Sequence, residues 1–135
     1  MFEEEIKFLQ EIEEPNNDQN KRDKLNDEQI IQLQNEFSGL PEDYLAYLRE
    51  IGWGSFRQCQ FGVFQCCYFE DLYDIGVEFE EKRYIAFGHN FSGDTSVFDA
   101  KDNFEVYDFW HDCLEFYKAD MTFKQYIRRC MLMSE

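Results

Sequence analysis

Basic residues are scarce in this chain of 135 residues, where 13 Lys and Arg stand against 29 Asp and Glu and leave a formal net charge of −16. Such a field repels the phosphates of nucleic acids and of anionic lipid headgroups, which nearly excludes direct binding to either. Proline and histidine occur twice each. No apolar run approaches the length of a membrane span, so no membrane association is expected. The start, Met1-Phe2-Glu3-Glu4-Glu5-Ile6, has neither the basic nor the apolar region of a signal peptide. A cytoplasmic location follows as an expectation, with Cys59, Cys66, Cys67, Cys113 and Cys130 reduced. Their odd number also forbids complete pairing.

No C-x-x-C spacing occurs, so His111 and Cys113 around Asp112 do not make a zinc site, and no metal or cofactor is expected. A cysteine nucleophile needs a base beside it, and only His89 and His111 are available. The acidic surroundings raise thiol pKa values and work against a thiolate. Gly52-Trp53-Gly54-Ser55 follows a helix rather than a strand and lacks the lysine of a phosphate loop, so it reads as a helix cap and tight turn. Adjacent acids such as Glu70/Asp71 and Glu80/Glu81 point to opposite faces of an extended chain and read as solvated groups, not a catalytic pair. No enzyme site converges.

Aromatic residues are what the chain has in abundance. There are 15 Phe, 8 Tyr and 2 Trp, 19% of the chain, within a hydrophobic share of 44%. Disordered acidic chains are poor in aromatics, so a packed core is expected, in one domain over residues 1–135. Residues 1–117 carry 9 basic and 27 acidic side chains, net −18, while 118–135 carry 4 and 2, net +2. The acidic field therefore belongs to the body. It serves solubility alone or steers the protein toward a basic partner surface.

Phe2, Ile6, Leu9 and Ile12 at helical spacing, with three glutamates at the start, predict a helix ending near Glu14 before Pro15. Residues 16–24 read as a flexible polar loop that could act as a hinge for it. Asn26 with Gln29 predicts a capped second helix, with Ile30, Leu33 and Phe37 on one face. Pro41 with Glu42 and Asp43 opens a third, ended by Gly52, with Tyr44, Leu45, Leu48 and Ile51 inward and Tyr47 at the border. Strands are expected at 61–69, 83–87, 96–99 and 105–110, with a further candidate at 57–60. Thr122 with Gln125 caps a last helix with Phe123, Tyr126, Ile127 and Cys130 on one face. The fold class is α+β: an antiparallel-dominated sheet of about five or six strands, with helices from both ends of the chain packed on it.

Acids recur beside aromatics in 68–74, 78–81 and 107–112. Aromatic anchors rimmed by carboxylates suit a protein interface, and the candidate contacts are Glu70, Asp71, Tyr73, Asp74, Glu78, Glu80, Asp108 and Trp110. The alternative for each aromatic is the core.

The ordered set Leu40-Pro41-Glu42-Asp43-Tyr44, Ile51-Gly52-Trp53-Gly54, Tyr84-Ile85-Ala86-Phe87-Gly88, Gly93-Asp94 before Val97-Phe98-Asp99, Val106-Tyr107 and Phe123-Lys124-Gln125-Tyr126-Ile127 resembles the SUKH superfamily. That family includes bacterial immunity proteins and yeast regulators of cell-wall glucan synthesis. The likeness covers about 27–132, with 1–26, a helix and polar loop, as an addition. Within the pattern Pro41 sets a helix start, Tyr44 packs from it, Gly52 and Gly54 allow its exit, Gly88 and Gly93 permit turns flanking a polar loop, and Asp94 bonds loop amides. The resemblance implies a non-catalytic domain that neutralises a cognate toxin, often a nuclease. Its partner would be a basic toxin domain, the protein itself a monomer or weak homodimer, and the alternative is a regulatory scaffold for a signalling or cell-wall enzyme.

Overall fold

Three glutamates at the positive end of a helix dipole open α1 (Glu3–Ile12), which turns Leu9 and the buried Glu5 inward. In a computed structural model, the structure describes residues 1–72 and 80–133. Helix α2 (Asp27–Glu36) begins with a complete capping box: the Gln29 N–H donates to Asn26 Oδ1 and the Asn26 N–H to Gln29 Oε1, both at 2.9 Å. Pro41 precedes α3 (Glu42–Glu50), and Thr122 with Gln125 caps α4 (Phe123–Cys130) in the same reciprocal way as α2.

Seven strands form one antiparallel sheet in sequence order: β1 (Arg22–Asp23), β2 (Trp53–Phe56), β3 (Phe61–Tyr68), β4 (Tyr84–His89), β5 (Thr95–Asp99), β6 (Glu105–Trp110) and β7 (Glu115–Lys118). The α+β class stands, and the count of five or six is corrected to seven. The additions are β1 inside the expected polar loop, β2 inside the expected turn, and β7. The candidate strand at 57–60 is instead a turn, because Arg57, Gln58 and Cys59 all have left-handed backbones with φ between 49° and 63°. Glu13 accepts the Arg57 N–H and Asn20 the Gln58 N–H, which hold that conformation.

The four helices cover one face. Period-two alternation sends Ile85 and Phe87 of β4, Phe98 of β5 and Val106 of β6 into the large core beneath them. The opposite faces of the same strands send Tyr84, Ala86, Val97 and Phe109 into a second, smaller core with Phe69. Tyr47, expected at the border of α3, is fully buried, because Phe2, just before α1, and Phe123 from α4 both pack edge-on against its ring at 5.4 and 5.6 Å.

Tyr44 is also fully buried and does more than fill space. The register of β3 on β4 shifts between Val63 and Cys67. At that irregularity the Tyr44 hydroxyl donates to the Phe64 carbonyl at 2.7 Å and accepts the Cys66 N–H at 3.0 Å. A bulge that would leave buried backbone groups without partners is thereby satisfied by one side chain.

Gly52 and Gly54 take φ of +102° and +136° with β1 lying against both, an approach that leaves no room for a Cβ. Gly88 does not sit in a turn as the sequence suggested; it lies within β4 where the register to β5 shifts, and a Cβ there would meet the Phe61 ring at 2.7 Å.

The segment expected as a hinge ties α1 down instead. Arg22 of β1 makes a two-pronged ion pair with Glu13 at 2.7 and 2.9 Å and also donates to the Ser55 carbonyl. At the other end of α1 the Phe2 N–H donates to Glu50, and Arg128 of α4 reaches Glu5 at 2.5 Å.

Candidate functional site

The register of the sheet decides which expected contact residues meet. Ser96 stands opposite Asp108 and Thr95 opposite Phe109. Asp108 and Trp110 therefore project on the helix side, where α4 ends its coverage at Tyr126 and Arg129. The Tyr126 hydroxyl donates to Asp108 Oδ1 and lies 2.5 Å from Ser96 Oγ. The Arg129 guanidinium lies over the Tyr126 ring at 5.0 Å and 3.6 Å from Asp108 Oδ2. Burial raises the Asp108 pKa, opposed by the bond from Tyr126 and the charge of Arg129. These residues line a cleft of about 180 Å³ with Asn90, Asp94 and Trp110.

Asp94 closes the far end of the cleft. Its Oδ1 accepts the backbone N–H of His111 at 3.1 Å and lies 2.7 Å from His111 Nδ1, while Asn90 donates to Oδ2 at 3.2 Å. The β4–β5 loop is thus clasped to the β6–β7 turn, with Gly93 packed so closely that a Cβ would sit 2.9 Å from the imidazole. The bond to Asp94 raises the His111 pKa, whereas burial lowers that of His89. Burial pushes Asp94 upward, but the bonds from the His111 ring and N–H and from Asn90 outweigh it and hold the carboxyl low.

The clasp's contribution is complete between the ordinary carboxylate pKa of 3.8 and the ordinary imidazole pKa of 6.5; it is lost as pH rises through the raised His111 value or falls through the lowered Asp94 value. Titration by NMR should show His111 deprotonating above 6.5 and His89 below it, and His111 should move toward His89 in Asp94→Asn. Coincident titrations would show that no clasp forms.

Trp110 and Tyr117 complete the site. They are diagonal neighbours across β6 and β7, 48% and 40% exposed, with ring centroids 4.6 Å apart. The Tyr117 hydroxyl donates to Glu115 Oε2 at 2.6 Å, which fixes a carboxylate at the edge of the pair. Leu114 in the adjoining turn is exposed, as is Phe91 in the clasped β4–β5 loop. Phe91 packs on His89 at 4.2 Å, beside a second cleft that Leu72 and Phe64 line.

The remaining expected contacts do not join this end of the sheet. Glu70 accepts the Lys82 N–H at 2.6 Å, Asp71 is exposed in the short turn after β3, and Glu80 pairs with Lys101. All three lie toward the opposite end, where Tyr84 pairs with Asp99. Tyr73, Asp74 and Glu78 lie outside the described residues. Sequence reasoning missed Phe91, Leu114 and Tyr117; the signal for Tyr117 was the run Glu115-Phe116-Tyr117-Lys118 following a short turn after β6.

A concavity of about 590 Å³ opens between α1 and the 15–24 segment. Its half-buried charges Glu13 and Arg22 are bonded to each other, and no cysteine or histidine lines it. Burial pushes the thiols of Cys66 and Cys130 up to about 12. Among the described residues no group of three or more His, Cys, Asp or Glu is arranged to hold a metal, and no helix is long and apolar enough to cross a membrane.

The chain matches no protein-family model, no curated protein and no solved structure.

Proposed function

We propose that this is a cytoplasmic immunity protein that neutralises a cognate bacterial toxin, a nuclease, by binding it without catalysis. The observation that carries the reading is the exposed Trp110–Tyr117 pair, with exposed Leu114 in the turn between their strands, at the end of an acidic body where Asp94 clasps the β4–β5 loop to His111. Exposed aromatics in one place serve as binding anchors, and the surrounding carboxylates select a basic partner. A nuclease must present a basic surface to hold phosphates, so an acidic protein is drawn to that surface and competes there with the nucleic acid. The ordered resemblance to the SUKH superfamily supports the same reading.

The test is growth of cells expressing the toxin domain from the neighbouring reading frame, with and without this protein, followed by co-purification at low and high salt. Rescue is expected, with a complex whose association slows steeply as salt rises. A harmless neighbour, or failed rescue without a complex, removes the toxin and leaves a regulatory scaffold as the better reading.

A further inference from the structure

Two of this chain's arginines are held in the same way. The Arg83 guanidinium lies over the Tyr84 ring at 5.0 Å and donates twice to Asp99, at 2.9 and 3.0 Å. The Arg129 guanidinium lies over Tyr126 and beside Asp108. Each time an aromatic face supplies stacking and quadrupole attraction while a carboxylate at its edge supplies charge.

Trp110, Tyr117 and Glu115 offer a third such pairing, with the carboxylate fixed by the Tyr117 hydroxyl. Among the described residues the cations that lie over rings sit on Phe2, Phe8, Tyr68, Tyr84 and Tyr126, and none lies over Trp110 or Tyr117. The hairpin adds the exposed Asp112, and the charge facing a visitor is negative apart from His111, which Asp94 engages, and Arg129, which stands beside Asp108. The platform sits where α4 stops covering the sheet, open to a partner.

We infer that the Trp110–Tyr117 platform, with Glu115 at its edge, is the receptor for an arginine side chain of a basic partner protein. This rests on the binding function proposed above and names the chemistry the partner must present. Arginine fits better than lysine because its guanidinium is planar, weakly hydrated and able to stack on a ring while donating to a carboxylate in the same plane.

The full chain, labelled with nitrogen-15, is titrated with N-acetyl-arginine methylamide and, separately, with its citrulline counterpart, which has the same shape and no charge. Saturable shifts are expected at the Trp110 indole N–H and in the amides of Trp110, Glu115 and Tyr117, with the Trp53 indole unmoved. Citrulline should bind roughly tenfold more weakly, the combined loss of a cation–π contact and an exposed ion pair. Glu115→Gln should weaken the arginine response and Trp110→Leu should remove it while the rest of the spectrum stays native. Equal response to citrulline, shifts spread over the acidic surface, or saturation that survives Trp110→Leu would overturn the assignment. If arginine binding fails while the growth rescue succeeds, the receptor is wrong and the immunity reading stands. If arginine binds as expected and rescue fails, the receptor stands and the toxin does not.

Discussion

Replacing Phe123 by alanine should lower the unfolding free energy by about 3–5 kcal/mol, the range for emptying a buried aromatic site. The ring is at the centre of the helix layer: it meets Tyr44, Tyr47, Phe87 and Phe98, with centroids 5.3, 5.6, 5.4 and 6.1 Å away. Those four rings come from α3, β4 and β5, and their packing, edge-on for three and tilted for Phe98, leaves little freedom to collapse into a void. A domain of this size holds only about 5–15 kcal/mol in total, so the variant should unfold at much lower urea with an unchanged slope. Phe123→Leu, which keeps most of the volume, should lose clearly less. A loss under about 1 kcal/mol for the alanine variant would mean that α4 contributes little to the core.

The second large effect comes from charge. Glu5 is fully buried, with Oε1 2.5 Å from Arg128 Nη1 and Oε2 without a hydrogen-bond partner among the described residues. Arg128→Met would strand that carboxylate, at a cost of about 3–5 kcal/mol. Adding Glu5→Gln to Arg128→Met should recover most of the loss, because two neutral side chains need no buried charge to be compensated. Urea unfolding of the wild type, both single variants and the double variant forms the cycle that reads this coupling. Additive losses would show that the two side chains do not interact.

Where local chemistry alone determines an element, the sequence was enough. The capping boxes at Asn26/Gln29 and Thr122/Gln125 need only residues three apart, and both helices start there. The hairpin of β5 and β6 is joined by a short polar turn and was equally legible. The strands that escaped notice are held by distant partners. β1 is two residues long and exists because Arg22 finds Gly54 and Glu13, neither of which marks it as a strand in sequence. The run 57–60 looked extended by composition, yet side chains of Glu13 and Asn20 bind its amides and turn the backbone left-handed.

The site shows the same division. Asp108 and Trp110 stood out as an acid and an aromatic in one run, and register places them on one side of one strand. Glu70, Asp71 and Glu80 share that composition but lie toward the other end of the sheet, which no spacing rule reports. Tyr44 was legible as a core residue, whereas its hydroxyl's part in satisfying the irregularity of β3 depends on a register no sequence states.

From β2 onward the strands pair in sequence order and can assemble by adding one hairpin at a time across local connections, whereas β1 reaches β2 only across α2 and α3. The contacts that span the chain are of another kind: Arg128 to Glu5 and Lys124 to the Met1 carbonyl, each 123 residues apart. On the ribosome α1 is made well before α4, and Glu5 waits without its arginine until synthesis reaches the last helix. Helix α1 can therefore be held by Arg22 and Glu50 early, while its buried carboxylate is neutralised only when α4 has been made.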